Sequence, residues 1–332
     1  PELVICCAVN LNDVDRTEIP AKRWADSFTF SASSVGSPTI GYHPTPSYLD
    51  RLSTRRVREL TLATLVATSG AAVTSAMGKK ALGAVGGLLA ALNVRLGAWI
   101  PNPRTVDAVA KPASFTWTPG WPHVLREIFG RYRADAPFLY VTDGGHWENL
   151  GLTELVRRGC KEIYVISAAG DGSDSFATLG EALAMTREQT EIEIVIDPSP
   201  LRRSLGAAAS SGGRQLVRTE KGTTQIEGMA AKPYVVGWWE HATKGRGAVL
   251  FVEANLTPSM PWDVHAYAER NSIFPNDPTS NQFFSAETFE AYRRLGEYQM
   301  KAAAASHEWA LVRSFADGVI DQAALRRHLA RA

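Results

Sequence analysis

An acidic residue followed by two glycines ends an apolar, strand-like run of the sequence. The run is "FLYVTD" at 138–143, so Asp143 stands at its carboxyl end and Gly144 and Gly145 follow. In open α/β sheets, chemistry collects at the carboxyl ends of strands, where the chain turns towards the next helix. Two glycines allow a sharp turn and the close approach of another segment. The pattern fits either a general base or an aspartate that only forms an Asx turn before a helix.

The stretch after Asp143 alternates helix-like and strand-like patterns. Asn149 is placed to cap a short helix that carries Leu152 and Val156 on one face and ends at Gly159. The positive N-terminus of that helix favours an ionised carboxylate nearby. Strands are predicted at 138–143, 161–168 and 191–197, with helices at 148–158 and 176–189 between them. This alternation predicts an α/β fold with a central, mostly parallel sheet and helices on both faces.

The rest of the chain is less regular. The patterns predict a strand at 2–9, a loop-rich stretch up to residue 57, helical character at 58–77 and 81–92, a β-hairpin at 234–256, and helices from Ser285 onward. The segment 198–232 is small, polar and glycine-rich, so we expect a surface loop or flap there.

Composition excludes several classes of protein. A net charge of +1 gives no electrostatic case for binding nucleic acid. The three cysteines, of which Cys6 and Cys7 are adjacent, do not form a disulfide framework and indicate a reducing compartment. Neither the histidines nor the cysteines show metal-ligand spacing, so we expect no metal and no cofactor. No uncharged apolar run is long enough for a transmembrane helix.

Several segments together resemble one protein family. The stretch "YVTDGGHWENLGLTELVRRGCKEIYVISAAGD" at 140–171 resembles the catalytic-aspartate segment of the patatin-like and cytosolic (group IV) phospholipases. Four more segments resemble a bacterial branch of patatin-like proteins: "SFTFSASSVGSPTIGYHPT", "LATLVATSGAAVTSAMG", "LNVRLGAWIPNP" and "FPNDPTSNQFFSAETFEAYRRLGEY". The resemblance implies a three-layer patatin-like fold and a Ser–Asp dyad that hydrolyses lipid esters. It makes Asp143 the base that accepts the serine proton.

The chain departs from the family at the nucleophile. No serine here has glycine at both i−2 and i+2, so the Gly-x-Ser-x-Gly elbow of the family is missing. We therefore expect residues 1–332 to be the C-terminal portion of a single patatin-like domain, with the nucleophile upstream or on a companion chain. The internal substitute is Ser69, which alanines flank at the glycine positions. The alternative is a catalytically silent patatin-like module that binds lipid or a partner protein.

Two further expectations concern the surroundings of Asp143. His146 invites a Ser-His-Asp triad, but the family dyad does not need it, so we expect it to form a hydrogen bond within the loop. Without the nucleophile segment, the sheet should have an unpaired edge or an exposed apolar face beside Asp143. An upstream segment, a second chain or a membrane surface should cover that region. We expect a cytoplasmic, membrane-associated protein whose substrate is a lipid or phospholipid.

Overall fold

The computed structural model describes residues 2–11, 25–52, 60–70, 97–107, 132–169, 174–203, 217–220, 223–226, 228–277 and 283–330. The chain divides into two compact units, Pro1–Asn149 and Leu150–Ala332. Each unit has its own β-sheet and its own apolar core. Because the candidate site residues all lie in the first unit, that unit is described in more detail.

A six-stranded sheet forms the frame of the first unit. Its strands are β1 (Val4–Asn10), β2 (Ala25–Ser31), β3 (Ser34–Ser37), β4 (Gly41–Pro44), β5 (Ala98–Pro101) and β6 (Phe138–Asp143). Their order across the sheet is β4-β3-β2-β1-β6-β5, and every neighbouring pair is antiparallel. Strand β6 lies between β1 and β5, and its pairing with β5 ends at Val141, two residues before Asp143.

Strand β2 lies where the sequence analysis expected a loop. Phe28 and Phe30 alternate with Ser27 and Thr29, and the two phenylalanine rings lie 5.1 Å apart in the core. A period of two residues places the rings on one face of the strand and the hydroxyl groups on the other. The expectation rested on the glycine, proline and serine content of the stretch. It was wrong because these residues form the tight connections between short strands.

Two helices of the first unit, α1 (Thr45–Arg51) and α2 (Leu62–Ser69), pack against the sheet. The Thr61 hydroxyl caps α2 by accepting the Thr64 N–H at 3.2 Å. Leu65 packs on the core formed by β1, β2 and β6, and α2 contacts both β1 and β6. Of the helical character expected at 58–77, α2 is the part that lies within the described residues. The helix expected at 81–92 lies outside them.

The second unit contains a mixed four-stranded sheet. Its strands are β7 (Glu162–Ser167), β8 (Ile194–Ile196), β11 (Val235–His241) and β12 (Gly245–Glu253). The order is β7-β12-β11-β8, in which only β7 and β12 are parallel. The hairpin expected at 234–256 is confirmed as β11 and β12, joined by the turn at 242–244.

The predicted central, mostly parallel sheet with helices on both faces is wrong. Strand β6 pairs with β1 and β5 in one sheet, whereas β7 and β8 belong to the other sheet. Within that second sheet the β11–β12 hairpin separates β7 from β8, so the strand–helix–strand order along the chain does not produce neighbouring parallel strands. An apolar strand can pair in either direction, so the sequence pattern alone did not exclude this arrangement.

Six helices of the second unit lie within the described residues, namely α3 (Leu152–Arg157), α4 (Ala177–Thr190), α5 (Trp262–Arg270), α6 (Ala286–Ala304), α7 (His307–Ala316) and α8 (Gln322–Leu329). The C-terminal helices expected from Ser285 are confirmed, and the Ser285 hydroxyl caps α6 by accepting the Thr288 N–H at 3.1 Å. Throughout the described part of the chain, no helix is long and apolar enough to cross a membrane.

The segment expected to be a surface loop or flap at 198–232 contains regular structure. It begins with a 3₁₀ turn at Ser199–Leu201, and it includes an antiparallel pair of strands, β9 (Val217–Glu220) and β10 (Thr223–Ile226). A β-bridge between Arg203 and Ala230 joins the two ends of the segment.

Candidate active site

Asp143 is the last residue of the interior strand β6. It lies opposite Cys7 of β1 in the antiparallel ladder, and it is half-buried. Because opposite residues share a face, Asp143 projects from the same face as Cys7 and Val141, which belong to the core of the first unit. The carboxylate oxygen Oδ1 accepts the Gly145 N–H at 2.7 Å, and this Asx turn begins a 3₁₀ turn at Gly144–His146.

The two glycines after Asp143 are needed for space rather than for left-handed backbone. Neither is among the glycines with positive φ. A Cβ atom on Gly144 would overlap the carbonyl oxygen of Cys6, and one on Gly145 would overlap the Asn149 amide oxygen. The expected close approach of another segment is therefore present at Gly144. A side chain there would push the 3₁₀ turn away from β1.

The Asn149 side chain does not cap the following helix. Helix α3 begins at Leu152, and its N-cap is Gly151, with a left-handed φ of 66° and no side-chain cap. The predicted cap was therefore wrong, because the chain needs two more residues to turn before the helix starts. Within the first unit the Asn149 amide oxygen lies next to the Gly145 Cα.

The ring of His146 lies on the opposite side of β6 from Asp143. Its Nδ1 is 3.4 Å from the hydroxyl oxygen of Thr142, which also accepts a hydrogen bond from the buried Asn10 amide at 3.1 Å. Neighbouring residues of a strand project to opposite faces, so Thr142 points away from the face that carries Asp143. This arrangement agrees with the expected hydrogen-bonding role in the loop. It does not align His146 with Asp143 as a catalytic triad requires.

The residue opposite Asp143 is Cys7, and its thiol is neutral. Burial raises the pKa of Cys7 well above its ordinary value, and the neighbouring Cys6 and the Asp143 carboxylate raise it further. Cys7 therefore remains a protonated, apolar neighbour of Asp143. Within the described part of the chain, Asp143 has no ion-pair partner and accepts no hydrogen bond apart from that of Gly145.

Ser69, the internal candidate for the nucleophile, lies on the same side of the sheet as Asp143. It is the last residue of α2, one turn beyond Leu65, which packs on the core face of β1 and β6. The Ser69 hydroxyl donates to the Cys6 carbonyl oxygen at 2.6 Å and not to the Asp143 carboxylate. The structure brings Ser69 and Asp143 to the same part of β1, but the hydrogen bond that would activate the serine is not formed.

The sequence analysis did not identify Cys6 and Cys7 as part of the site. The Cys6 carbonyl contacts both Ser69 and Gly144, and Cys7 pairs with Asp143. The pair of small residues in "VICCAV" was a possible signal, because small side chains allow a close approach to the backbone. No local pattern revealed that β1 pairs with β6, more than a hundred residues away in sequence.

The described residues offer no metal centre. They contain no group of three or more histidine, cysteine, aspartate or glutamate side chains that could hold a metal ion. Asp174 of the second unit accepts a hydrogen bond from the Arg203 guanidinium at 2.7 Å.

Searches of protein-family models, curated proteins and solved structures each found no match to this chain. The resemblance to patatin-like phospholipases therefore rests on the sequence motifs given above, and it remains a prediction.

Proposed function

We propose that Asp143 is the general base of a Ser–Asp acyl hydrolase that acts on lipid esters. The serine would be supplied by a segment outside residues 1–332, either upstream in the same polypeptide or on a companion chain. The observation that carries the proposal is the arrangement of the carboxylate. The Gly145 N–H holds Oδ1 of Asp143, while Oδ2 has no partner among the described residues. An oriented carboxylate with one available oxygen can accept a serine proton directly.

An apolar groove in the first unit supports a lipid substrate. The groove encloses about 650 Å³, and Ile5, Phe30, Leu62 and Leu65 contribute to its lining. Ile5 and Cys7 project from the same face of β1, and Cys7 lies opposite Asp143. Ile5, which lines the groove, is therefore the next residue on that face after Cys7.

The proposal is tested in the protein or complex that includes the Gly-x-Ser-x-Gly segment. Asp143→Asn keeps the size of the side chain and the acceptor for the Gly145 N–H, but it removes the base. Turnover of a short-chain p-nitrophenyl ester should fall by at least a hundredfold, as expected for the loss of a general base. The matched control is Asp135→Asn, because Asp135 is an exposed aspartate of the same unit whose partner is Arg133.

Activity near that of the wild type in Asp143→Asn would refute the assignment. If the intact protein has no esterase activity but binds phosphatidylcholine vesicles in a sedimentation assay, the silent lipid-binding module becomes the better explanation. Circular dichroism of both variants must match the wild type, so that a lost fold is not mistaken for a lost base.

A further inference from the structure

The hydroxyl of Ser69 forms a tertiary contact that is unusual for its position in a helix. Serine and threonine near a helix end commonly donate to the carbonyl four residues earlier, as Thr68 does to Thr64 at 2.9 Å. Ser69 instead donates to Cys6 of β1 at 2.6 Å, across 63 residues of sequence. The last turn of α2 is thereby attached to the backbone of β1.

The same carbonyl group supports the loop that follows Asp143. The register of β1 against β6 ends at the pair Cys7 and Asp143, and beyond it the chain enters the 3₁₀ turn. Gly144 packs so closely on the Cys6 carbonyl that a Cβ atom would overlap it. One peptide oxygen thus contacts the Ser69 hydroxyl on one side and the residue after Asp143 on the other.

We infer that Ser69 is a positioning residue for Asp143. Its hydroxyl fixes the Cys6 carbonyl, the Cys6 carbonyl limits where Gly144 can lie, and Gly144 sets the direction in which the Asp143 carboxylate leaves β6. This inference rests on the proposed function, since it assigns Ser69 a part in that reaction without contact to the reacting atoms.

The inference is tested with two substitutions in the protein that includes the nucleophile segment. Ser69→Ala removes the hydrogen-bond donor and should lower kcat about tenfold with little change in KM. The reason is that a displaced base stabilises the transition state less well but does not affect substrate binding. Ser69→Thr keeps the hydroxyl, and Ser69 is only half-buried, so the added methyl group has room. The threonine variant should recover kcat to within about threefold of the wild type. Ser47→Ala, at an exposed serine of α1, is the matched control.

The possible outcomes separate the inference from the proposed function. If Asp143→Asn leaves turnover intact, the proposed function fails. If Asp143→Asn abolishes turnover while Ser69→Ala leaves kcat unchanged, only the positioning role is overturned. If Ser69→Ala is as inactive as Asp143→Asn, and a fluorophosphonate probe forms its adduct on Ser69, then Ser69 is the nucleophile and the positioning role is again overturned. A tenfold loss in kcat that Ser69→Thr restores, with the adduct elsewhere, supports the inference.

Discussion

Cys7 and Asp143 lie opposite each other where β1 and β6 end their antiparallel pairing. Cys7 is fully buried and Asp143 is half-buried, so the carboxylate has an apolar neighbour on its strand side. The pair therefore defines the boundary between the core of the first unit and the candidate active site.

The first prediction concerns the thiol of this pair. In the native protein Cys7 should resist alkylation by iodoacetamide at pH 8, while Cys6 and Cys160, which are partly accessible, should react faster. The reason is that burial both hides Cys7 and raises its pKa. Mass spectrometry of peptides after timed alkylation measures the three rates. Modification of Cys7 at the rate of Cys6 would contradict the placement of β1.

The raised pKa of Cys7 also predicts how stability depends on pH. The folded thiol ionises above its ordinary value of 9.0, so its contribution to stability is complete below that pH. As the pH rises above it, only the unfolded chain loses the proton, and stability falls by about 1.4 kcal/mol per pH unit. Urea unfolding between pH 8 and 11 should show a smaller decrease in Cys7→Ala than in the wild type. Parallel curves would refute the prediction.

Another prediction concerns the close contact between Gly144 and the Cys6 carbonyl. Gly144→Ala should reduce the stability of the β1–β6 pairing by about 1–3 kcal/mol, because the added methyl group would overlap the backbone carbonyl oxygen of Cys6. Native-state hydrogen exchange of the β1 and β6 amides reports this local free energy. Gly70→Ala is the control in the same unit, since its Cβ would meet only Val66 O, at an ordinary 3.7 Å. Equal effects of the two substitutions would contradict the close approach.

A further prediction concerns purified residues 1–332 without any companion segment. They should not hydrolyse p-nitrophenyl butyrate above the background rate, because a base without its nucleophile provides no covalent route. The measurement is initial rates at several protein concentrations. Robust turnover that Ser69→Ala abolishes would show instead that the chain contains its own nucleophile.

The last prediction addresses a buried ion pair in the second unit. Asp174 accepts hydrogen bonds from both the backbone N–H and the guanidinium of Arg203, and both side chains are largely buried. Asp174→Asn should cost about 3–5 kcal/mol, because it removes the carboxylate from a buried ion pair. Asparagine tolerates the left-handed φ of 50° at this position, so backbone strain adds little.

The control for this ion pair is Glu193→Gln, which breaks the exposed pair between Glu193 and Arg187. It should cost no more than about 1 kcal/mol. Urea unfolding of the two variants at neutral pH gives the comparison, and similar losses in both would refute the special role of the buried pair.

Local sequence patterns predicted the secondary-structure elements around the candidate site correctly. The apolar run that ends at Asp143 is a strand, the short helix after it ends at Arg157, two residues before Gly159, and the hairpin and the C-terminal helices are present. These features depend on residue periodicity, turn residues and helix caps. All three can be identified from within about twenty residues of sequence. The Asp-Gly-Gly motif likewise predicted the close approach of another segment, but it did not indicate that this segment is β1.

The pairing of the strands and the residues that contact Asp143 could not be predicted from local sequence patterns. Strand β6 is apolar on both faces, so its sequence is compatible with parallel or antiparallel neighbours and does not specify β1 and β5. The contacts of Cys6 with Ser69 and Gly144 join three segments that are far apart in the chain. Such contacts depend on the register between distant strands, which is set by the packing of the whole sheet and not by any local pattern.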